Sequence, residues 1–412
     1  MTKREKARVR LGLLAGALVG VLALVACGSD TGSEELEAAV AGSTPSASSV
    51  DSTNSTSSAS AHGHPGIPAP EVALRNGERF LEIGMEEAYA PKAVNGGTDD
   101  YRCFLVDPGL AKPEFLIGAQ FAPSNKDIVH HANVYLVDPA NVAAARQKDA
   151  DDEGQGWQCF GTDGVRGQAG ESAWVDTWTP NGKESLLTQD VGFQMQPGSL
   201  LVLQVHYNLL ATGGKEGAED RSGIRLRLSD GTSETKPLYN VPLMAPIELP
   251  CTKEESGPLC DREASLKDVS ERFGAELAAI EPGLVAQCAG GEVKPGNTQS
   301  CDTQVPMEMT VYAGRGHMHL LGAALKVELN PGTPKAQTLL DVPVFDFDNQ
   351  QRVALPEPVK VGPGDTVRVT CTHDASLRSK LPQLKMLPPR YVVYGDGSSD
   401  EMCIGLMSVT IP

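Results

Sequence analysis

The chain is short of positive charge. Against 53 Asp and Glu it carries 35 Lys and Arg, a formal net charge of −18 over 412 residues. Nucleic-acid affinity comes chiefly from Lys and Arg on phosphates, so this balance argues against a nucleic-acid partner. It leaves small cationic ligands and metals open. Long apolar runs are missing too: residues 11–26 form a run of 16, below the roughly 20 that a membrane-crossing helix needs. Nor is there a nucleophile triad, a phosphate-cradling glycine loop or a dinucleotide fingerprint, and no internal repeat stands out.

What the chain does have is a 40% hydrophobic fraction, 43 glycines and 29 prolines. That composition supports a packed interior with many turns, and favours short strands over long helices. The length suits two or three domains, because single cores stop growing near about 250–300 residues. Nine cysteines indicate an oxidising compartment, and the odd number leaves one to explain.

Residues 1–10 hold Lys3, Arg4, Lys6, Arg8 and Arg10 against one acid, Glu5. With the apolar run behind them they read as an export signal over residues 1–27. Its end, Leu24-Val25-Ala26-Cys27, resembles the lipobox of bacterial lipoproteins, in which the cysteine is lipidated and becomes the mature N-terminus. The expectation is an exported protein, anchored through Cys27 to a bacterial membrane and facing the periplasm or the exterior. Residues 28–65 read as a disordered tether. Of the 18 residues from 43 to 60, 12 are Ser or Thr, too little apolar surface to offset the entropy of ordering. His62 and His64, at its end, read as a solvated pair.

From there on, short alternating segments are separated by Pro/Gly turns. Leu201, Leu203, Val205 and Tyr207 alternate with Val202, Gln204, His206 and Asn208, which predicts a strand with two unlike faces. Met307, Met309 and Val311 predict another, and so do Val367, Val369 and Cys371 after the turn at Gly364-Asp365. One helix is expected, from Ser265 as N-cap to about Ile280, with Leu266, Val269, Phe273, Leu277 and Ile280 on one face. It lies in a cysteine-rich insertion over about residues 251–301. Proximity pairs Cys251 with Cys260 and Cys288 with Cys301, although sequence alone does not determine connectivity. The fold class is all-β, as two β-sandwiches.

Outside the tether stand six histidines. His130 and His131 are adjacent, so on a regular strand they point to opposite faces and reach one ion only at a bend or strand end. His206 is alone on the polar face of its strand, where a hydrogen-bonded core histidine is the simpler reading. His317-Met318-His319 is more specific, since His-x-His on a strand puts both rings on one face. Met402, beside Cys403, reads as core packing unless that pair makes its thioether a third ligand. Two imidazoles and a thioether form a soft set suited to copper; a three-histidine site also suits zinc. His373 sits on the apolar face of its strand and reads as structural.

In this order the segments resemble the copper type II, ascorbate-dependent monooxygenases. The matching residues are His130-His131, Val205-His206-Tyr207-Asn208, His317-Met318-His319-Leu320-Leu321-Gly322 and Asp400-Glu401-Met402-Cys403, across about residues 101–407. The resemblance implies two tandem jelly-roll β-sandwiches, here residues 66–240 and 241–412, facing across an open cleft with one copper on each. His130, His131 and His206 would hold an electron-storing copper; His317, His319 and Met402 would hold the copper that activates dioxygen. Ascorbate or another reductant would supply two electrons, and a substrate C–H bond would be hydroxylated. By the same resemblance Cys371 pairs with Cys403 and Cys103 with Cys159. Arg315 stands where the peptide-amidating member grips its substrate's carboxylate, so it is a candidate substrate-binding residue. The partners expected after the Met-Cys pair are replaced by Ile404, Gly405 and Leu406, which counts against glycine-extended peptides and leaves a small molecule or another peptide as substrate. The competing readings are a non-enzymatic extracytoplasmic copper-binding or electron-transfer lipoprotein, and a binding lipoprotein whose histidines are structural.

Overall fold

The structure is a computed structural model that describes residues 67–93, 99–159, 162–168, 170–188, 190–209, 217–347, 349–382, 384–397 and 399–412. The expected signal, Cys27, the tether, His62 and His64 lie outside the described residues. No helix among the described residues is long and apolar enough to cross a membrane.

Four larger sheets carry the described residues. The first runs in the order β1 (Glu78–Gly84), β12 (Gly223–Ser229), β3 (Glu114–Ala122), β10 (Val191–Met195) and β13 (Lys236–Pro237), with β9 (Ser185–Leu186) also on β3. The second is β5 (Trp157–Gln158), β2 (Asp99–Val106), β11 (Leu200–Asn208), β4 (Val129–Val137) and β8 (Ala173–Trp178). Between β4 and β8 in sequence lie helix α1 (Val142–Asp151) and a small ribbon of β6 (Arg166–Gly167) and β7 (Gly170–Glu171).

The third sheet is β14 (Tyr239–Met244), β21 (Ile404–Thr410), β16 (Met309–His317) and β19 (Val353–Val361). The fourth is β15 (Thr298–Gln304), β20 (Thr366–His373), β17 (Gly322–Leu329) and β18 (Gln337–Val342). Apart from the parallel contact of β10 with β13, the paired strands run antiparallel. No ladder among the described residues joins the first two sheets to the last two.

Each pair of sheets closes on one core. Leu201, Leu203, Val205 and Tyr207 of β11 meet Leu226 and Leu228 of β12 in the first; Val327, Val369 and Cys371 meet Met407 and Val409 in the second. The alternation along β20 is strict, buried against half-buried, as expected when one face of an antiparallel strand is covered. Strand β11 is buried on both faces. Its second face, with Leu200 and Val202, packs with Trp157 and Ala145 of α1. Disulfides join Cys103 to Cys159, Cys251 to Cys260, Cys288 to Cys301 and Cys371 to Cys403.

The helical insertion differs from its expectation. It forms α2 (Arg262–Phe273), the single turn α3 (Ala275–Ala278) and α4 (Ile280–Ala289). The cap is Asp261, whose side chain accepts the N–H of Ala264 at 2.9 Å. Gly274, at φ 95°, ends α2 in a conformation that a β-carbon disfavours. Ser265 is inside the helix and its hydroxyl donates to Tyr391 O at 2.6 Å. The hydrophobic periodicity was continuous across Gly274, so it hid the break. Met307 likewise falls outside β16 and is exposed. A short fifth helix, α5 (Leu377–Lys380), follows β20.

The insertion grips the segment that leads to Met402. Arg272 of α2 bonds both oxygens of buried Asp400, at 2.7 and 2.8 Å, and Arg390 adds a third contact at 3.0 Å. Tyr391 OH donates to Glu248 at 2.7 Å, and Glu281 of α4 accepts the N–H of Ile247 at 2.9 Å. Removing one partner of a buried ion pair costs about 3–5 kcal/mol. Asp400→Asn, which keeps the shape and removes the charge, is therefore expected to lower the unfolding free energy by about that much, read from urea midpoints at unchanged m-value.

Candidate metal centre

Strand pairing brings the first three histidines together. Along the β11–β4 ladder His206 faces His131, and the next pair is Tyr207 with Val129. His130 is the extra residue of a β-bulge. A bulge re-aims a side chain that regular alternation would send to the opposite face, and it supplies the bend that two adjacent histidines need. The Nδ1 atoms of His130 and His131 lie 3.2 Å apart, and those of His206 and His131 3.3 Å apart. Among the described residues these three form a group whose ligand atoms all fall within 4.8 Å of one another.

The orientation of His206 is fixed from behind. Its Nε2 lies 2.9 Å from Asp99 Oδ1, which also accepts from Asn208 Nδ2 at 3.0 Å. The ring stacks on Tyr101, with centroids 4.0 Å apart and planes 8° apart. With Nε2 donating to the carboxylate, the Nδ1 lone pair is left facing the other histidines. Burial, followed by the charges of His206 and His130, pushes His131 well below the ordinary imidazole value. Burial takes His206 down to about 4, against the pull of Asp99. Ring nitrogens this close can share a proton in a hydrogen bond or, with their lone pairs turned inward, hold a cation. The donor set fits copper or zinc.

The second set lies at the other end of β16. The strand stops at His317, so His317-Met318-His319 runs off the strand into a turn rather than lying along it. His317 Nδ1 is 2.7 Å from Gln350 Oε1, and His319 Nδ1 is 3.2 Å from the carbonyl of Asp400. Both Nδ1–H groups thus donate to oxygen, and each ring keeps Nε2 as its free lone pair. The ring centroids are 5.4 Å apart at 87°. Burial, then the His319 charge, pushes His317 down to about 3, with Gln350 opposing.

Met402 is buried in the same core cluster as Met318 and Leu321. It follows Glu401, whose carboxylate accepts the N–H of His319 at 2.9 Å and of Leu321 at 2.6 Å. His373 is buried with its Nε2 3.3 Å from that carboxylate. Burial would raise the Glu401 pKa, but His373 and His319 hold it below the ordinary carboxylate value.

Arg315 is 3% exposed and its Nη2 lies 3.2 Å from Asp176 Oδ1 of β8. Its Nε and Nη1 have no hydrogen-bond partner. Arg352 shares Asp176 at 3.8 Å and donates to Val175 O at 2.6 Å and Ser185 Oγ at 3.0 Å. Both guanidiniums line a cavity of about 450 Å³ together with Thr177 and Tyr312. Burial lowers both pKa values, with Asp176 opposing; Arg352 falls to about 10.

The resemblance implied an open cleft between the two histidine sets. Here His131, His206, His317 and His319 are all buried, and the Phe347 ring lies between the sets. Asp99, Tyr101, Gln350 and Phe347 carry no motif. Asp99 and Tyr101 become visible only once β2 is registered against β11, where they face Asn208 and His206.

Residues 296–408 match the family model described as copper type II ascorbate-dependent monooxygenase, C-terminal domain. No curated protein matches the chain. Among solved structures, an allantoicase is 11% identical with a TM-score of 0.17, over 72% of this chain and 86% of that one. A vicilin from Solanum lycopersicum (tomato) is 6% identical with a TM-score of 0.14, over 81% and 74%. A Lactobacillus farciminis oxalate decarboxylase is 9% identical with a TM-score of 0.13, over 83% and 88%. Similarity at such TM-scores carries no structural inference.

The buried imidazoles make the metal-free protein sensitive to acid. Near pH 7 His206 and His317 are neutral whether folded or not. As pH falls below the ordinary 6.5 the unfolded chain takes up protons first, and stability is lost progressively down through the folded values of about 4 and about 3. His206→Gln removes one such group. Its urea midpoint, compared with that of the metal-free parent, is expected to gain ground between pH 7 and pH 5.

Proposed function

We propose that the protein is a copper-dependent monooxygenase with two mononuclear copper sites, taking dioxygen and a reductant such as ascorbate to hydroxylate a substrate C–H bond. The observation that carries this reading is the clustering of the His130, His131 and His206 ring nitrogens around one point, in a chain whose C-terminal part matches that enzyme family. Copper bound at the two sites would supply one-electron storage at the first and dioxygen activation at the second.

The chain's own residues divide that work. His130, His131 and His206 offer Nδ1 to the first ion, and Asp99 keeps a proton on His206 Nε2 so that the ring binds in one tautomer. His317 and His319 offer Nε2 to the second, with Gln350 and the Asp400 carbonyl holding the opposite nitrogens. The Met402 thioether completes that set and favours the reduced ion. Arg315, with two unpartnered N–H groups in its cavity, is assigned to an anionic part of a small-molecule or peptide substrate. The scaffold is two tandem jelly-roll sandwiches, residues 66–240 and 241–412. Export and lipid anchoring at Cys27 complete the proposal; the four disulfides fit an extracytoplasmic setting.

A second reading is a non-enzymatic copper-binding or electron-transfer lipoprotein. The burial of the histidines, which leaves little open space for a substrate between the sets, favours it. It differs in taking up copper without reductant-dependent oxygen consumption.

Reconstituted protein is expected to hold two coppers per chain, and His206→Ala one. Met402→Ala is expected to slow ascorbate-dependent oxygen uptake at least roughly tenfold, about 1.4 kcal/mol in barrier. Oxygen uptake unchanged by Met402→Ala in the copper-loaded protein would remove the enzymatic reading.

A further inference from the structure

The loop between β18 and β19 touches both histidine sets. Its Phe347 ring stacks on His130, with centroids 4.6 Å apart and planes 24° apart. The same ring meets His319 edge-on, at 6.4 Å and 79°. Three residues later Gln350 accepts from His317 Nδ1 at 2.7 Å, and its own amide donates back to Phe347 O at 2.8 Å. Arg352 then ties the loop to Val175 and Ser185, which belong to the first two sheets. Before the ring, the N–H of Phe345 donates to Ala323 O at 2.8 Å, so the loop is anchored on both sides of Phe347.

Beside that ring lies a cavity of about 590 Å³, lined by His130, Leu320, Phe345, Phe347, Leu377 and Leu381 among others. Exposed Val344 and Asp346 also line it, which opens it to solvent. The ring forms part of the wall of this cavity and stands between His130 and His319. A half-buried aromatic stacked on one imidazole and edge-on to another fills volume that water would otherwise take, since a polar, roomy gap between imidazoles satisfies the conditions for ordered water.

We propose that Phe347 is a positioning residue that partitions the two metal centres, setting their separation and keeping water out of the direct path between them. This rests on the two-copper reading above. The ring touches ligands of both centres without binding either ion, so its loss changes what lies between them while the donor atoms stay.

Phe347→Ala and Phe347→Leu remove the ring, and Phe347→Tyr retains it. In metal-free protein, diethylpyrocarbonate labelling mapped by mass spectrometry should modify His130 and His319 at least tenfold faster in the Ala and Leu variants, and near the parental rate in Tyr. In protein loaded with Cu(II), pulsed dipolar EPR should give a narrow intersite distance distribution for the parent and Tyr, and a broad or shifted one for Ala and Leu. Nitrogen hyperfine couplings at both sites should be unchanged. Labelling and distances unaltered in folded Ala and Leu variants would overturn the partition. So would loss of copper from either site, which would make Phe347 a support for a ligand instead. If the parent takes up fewer than two coppers, the two-copper reading fails, and the metal-free labelling still decides whether the ring excludes water.

Discussion

Glu401 is fully buried, yet its carboxylate accepts two backbone N–H groups of the turn after β16 and faces His373 at the end of β20. An unpaired buried carboxylate costs several kcal/mol, whereas each hydrogen bond to a charged group returns about 1.5–3 kcal/mol. The ion is therefore tolerable only if residues 318–321 take the one path that presents the N–H groups of His319 and Leu321 together. Gly322 closes that path: its N–H donates to His319 O at 3.1 Å, and a β-carbon there would lie 2.9 Å from the Met318 side chain. Carboxylate and turn specify each other. Because Met402 follows Glu401 directly, and Cys403 is disulfide-bonded to Cys371 of β20, the same contact fixes where the proposed thioether ligand begins.

Under the two-copper reading the two histidine sets would offer opposite ring nitrogens, for a reason rooted in backbone geometry. His130, His131 and His206 sit on paired strands, where the outer edge of the His206 ring meets Asp99 on the neighbouring strand and Nδ1 is left inward. His317 and His319 leave the strand end, and their Nδ1 atoms fall against oxygens on other segments, Gln350 Oε1 and Asp400 O. For His206, His317 and His319 an acceptor at one nitrogen selects the tautomer and exposes the other lone pair. The supporting groups on the second set are reached through long connections, so its geometry depends on how the β18–β19 loop and the insertion helices dock.

That dependence marks what the sequence could reveal. Strands such as β11 and β20 were legible because period-two alternation is a local property. The histidines themselves were legible because imidazole pairs at short spacing are rare and chemically specific. The bulge at His130 was foreseen only as a requirement, since a single sequence shows which residues would need a bend and not where the partner strand skips. Gln350, 33 residues beyond His317, and Asp99, 107 before His206, leave no trace without strand register. The helix cap was misplaced because Ser265 and Asp261 are both good N-caps. The choice fell to Tyr391, which claims the Ser265 hydroxyl from a distant segment.

The proposed donors of both sets are imidazoles and a thioether, and the nearby anions are already engaged. Asp99 is bound to His206 and Asn208, Glu401 to backbone N–H groups, and Asp400 to Arg272 and Arg390. An ion entering either set would therefore meet imidazole, and at the second the proposed Met402 thioether, rather than carboxylate, in surroundings where a charge is poorly screened. Such a site discriminates against small, highly charged cations that demand oxygen ligands, and it lowers the penalty for the less charged state of a redox-active metal. Asp99 adds a partial counterweight at the first set alone, one hydrogen bond removed from a ligand. Under the two-copper reading, that asymmetry makes the first centre the more tolerant of the higher charge. The second centre, with its nearest carboxylates turned to the backbone and to arginine, is left as the one better suited to the lower charge.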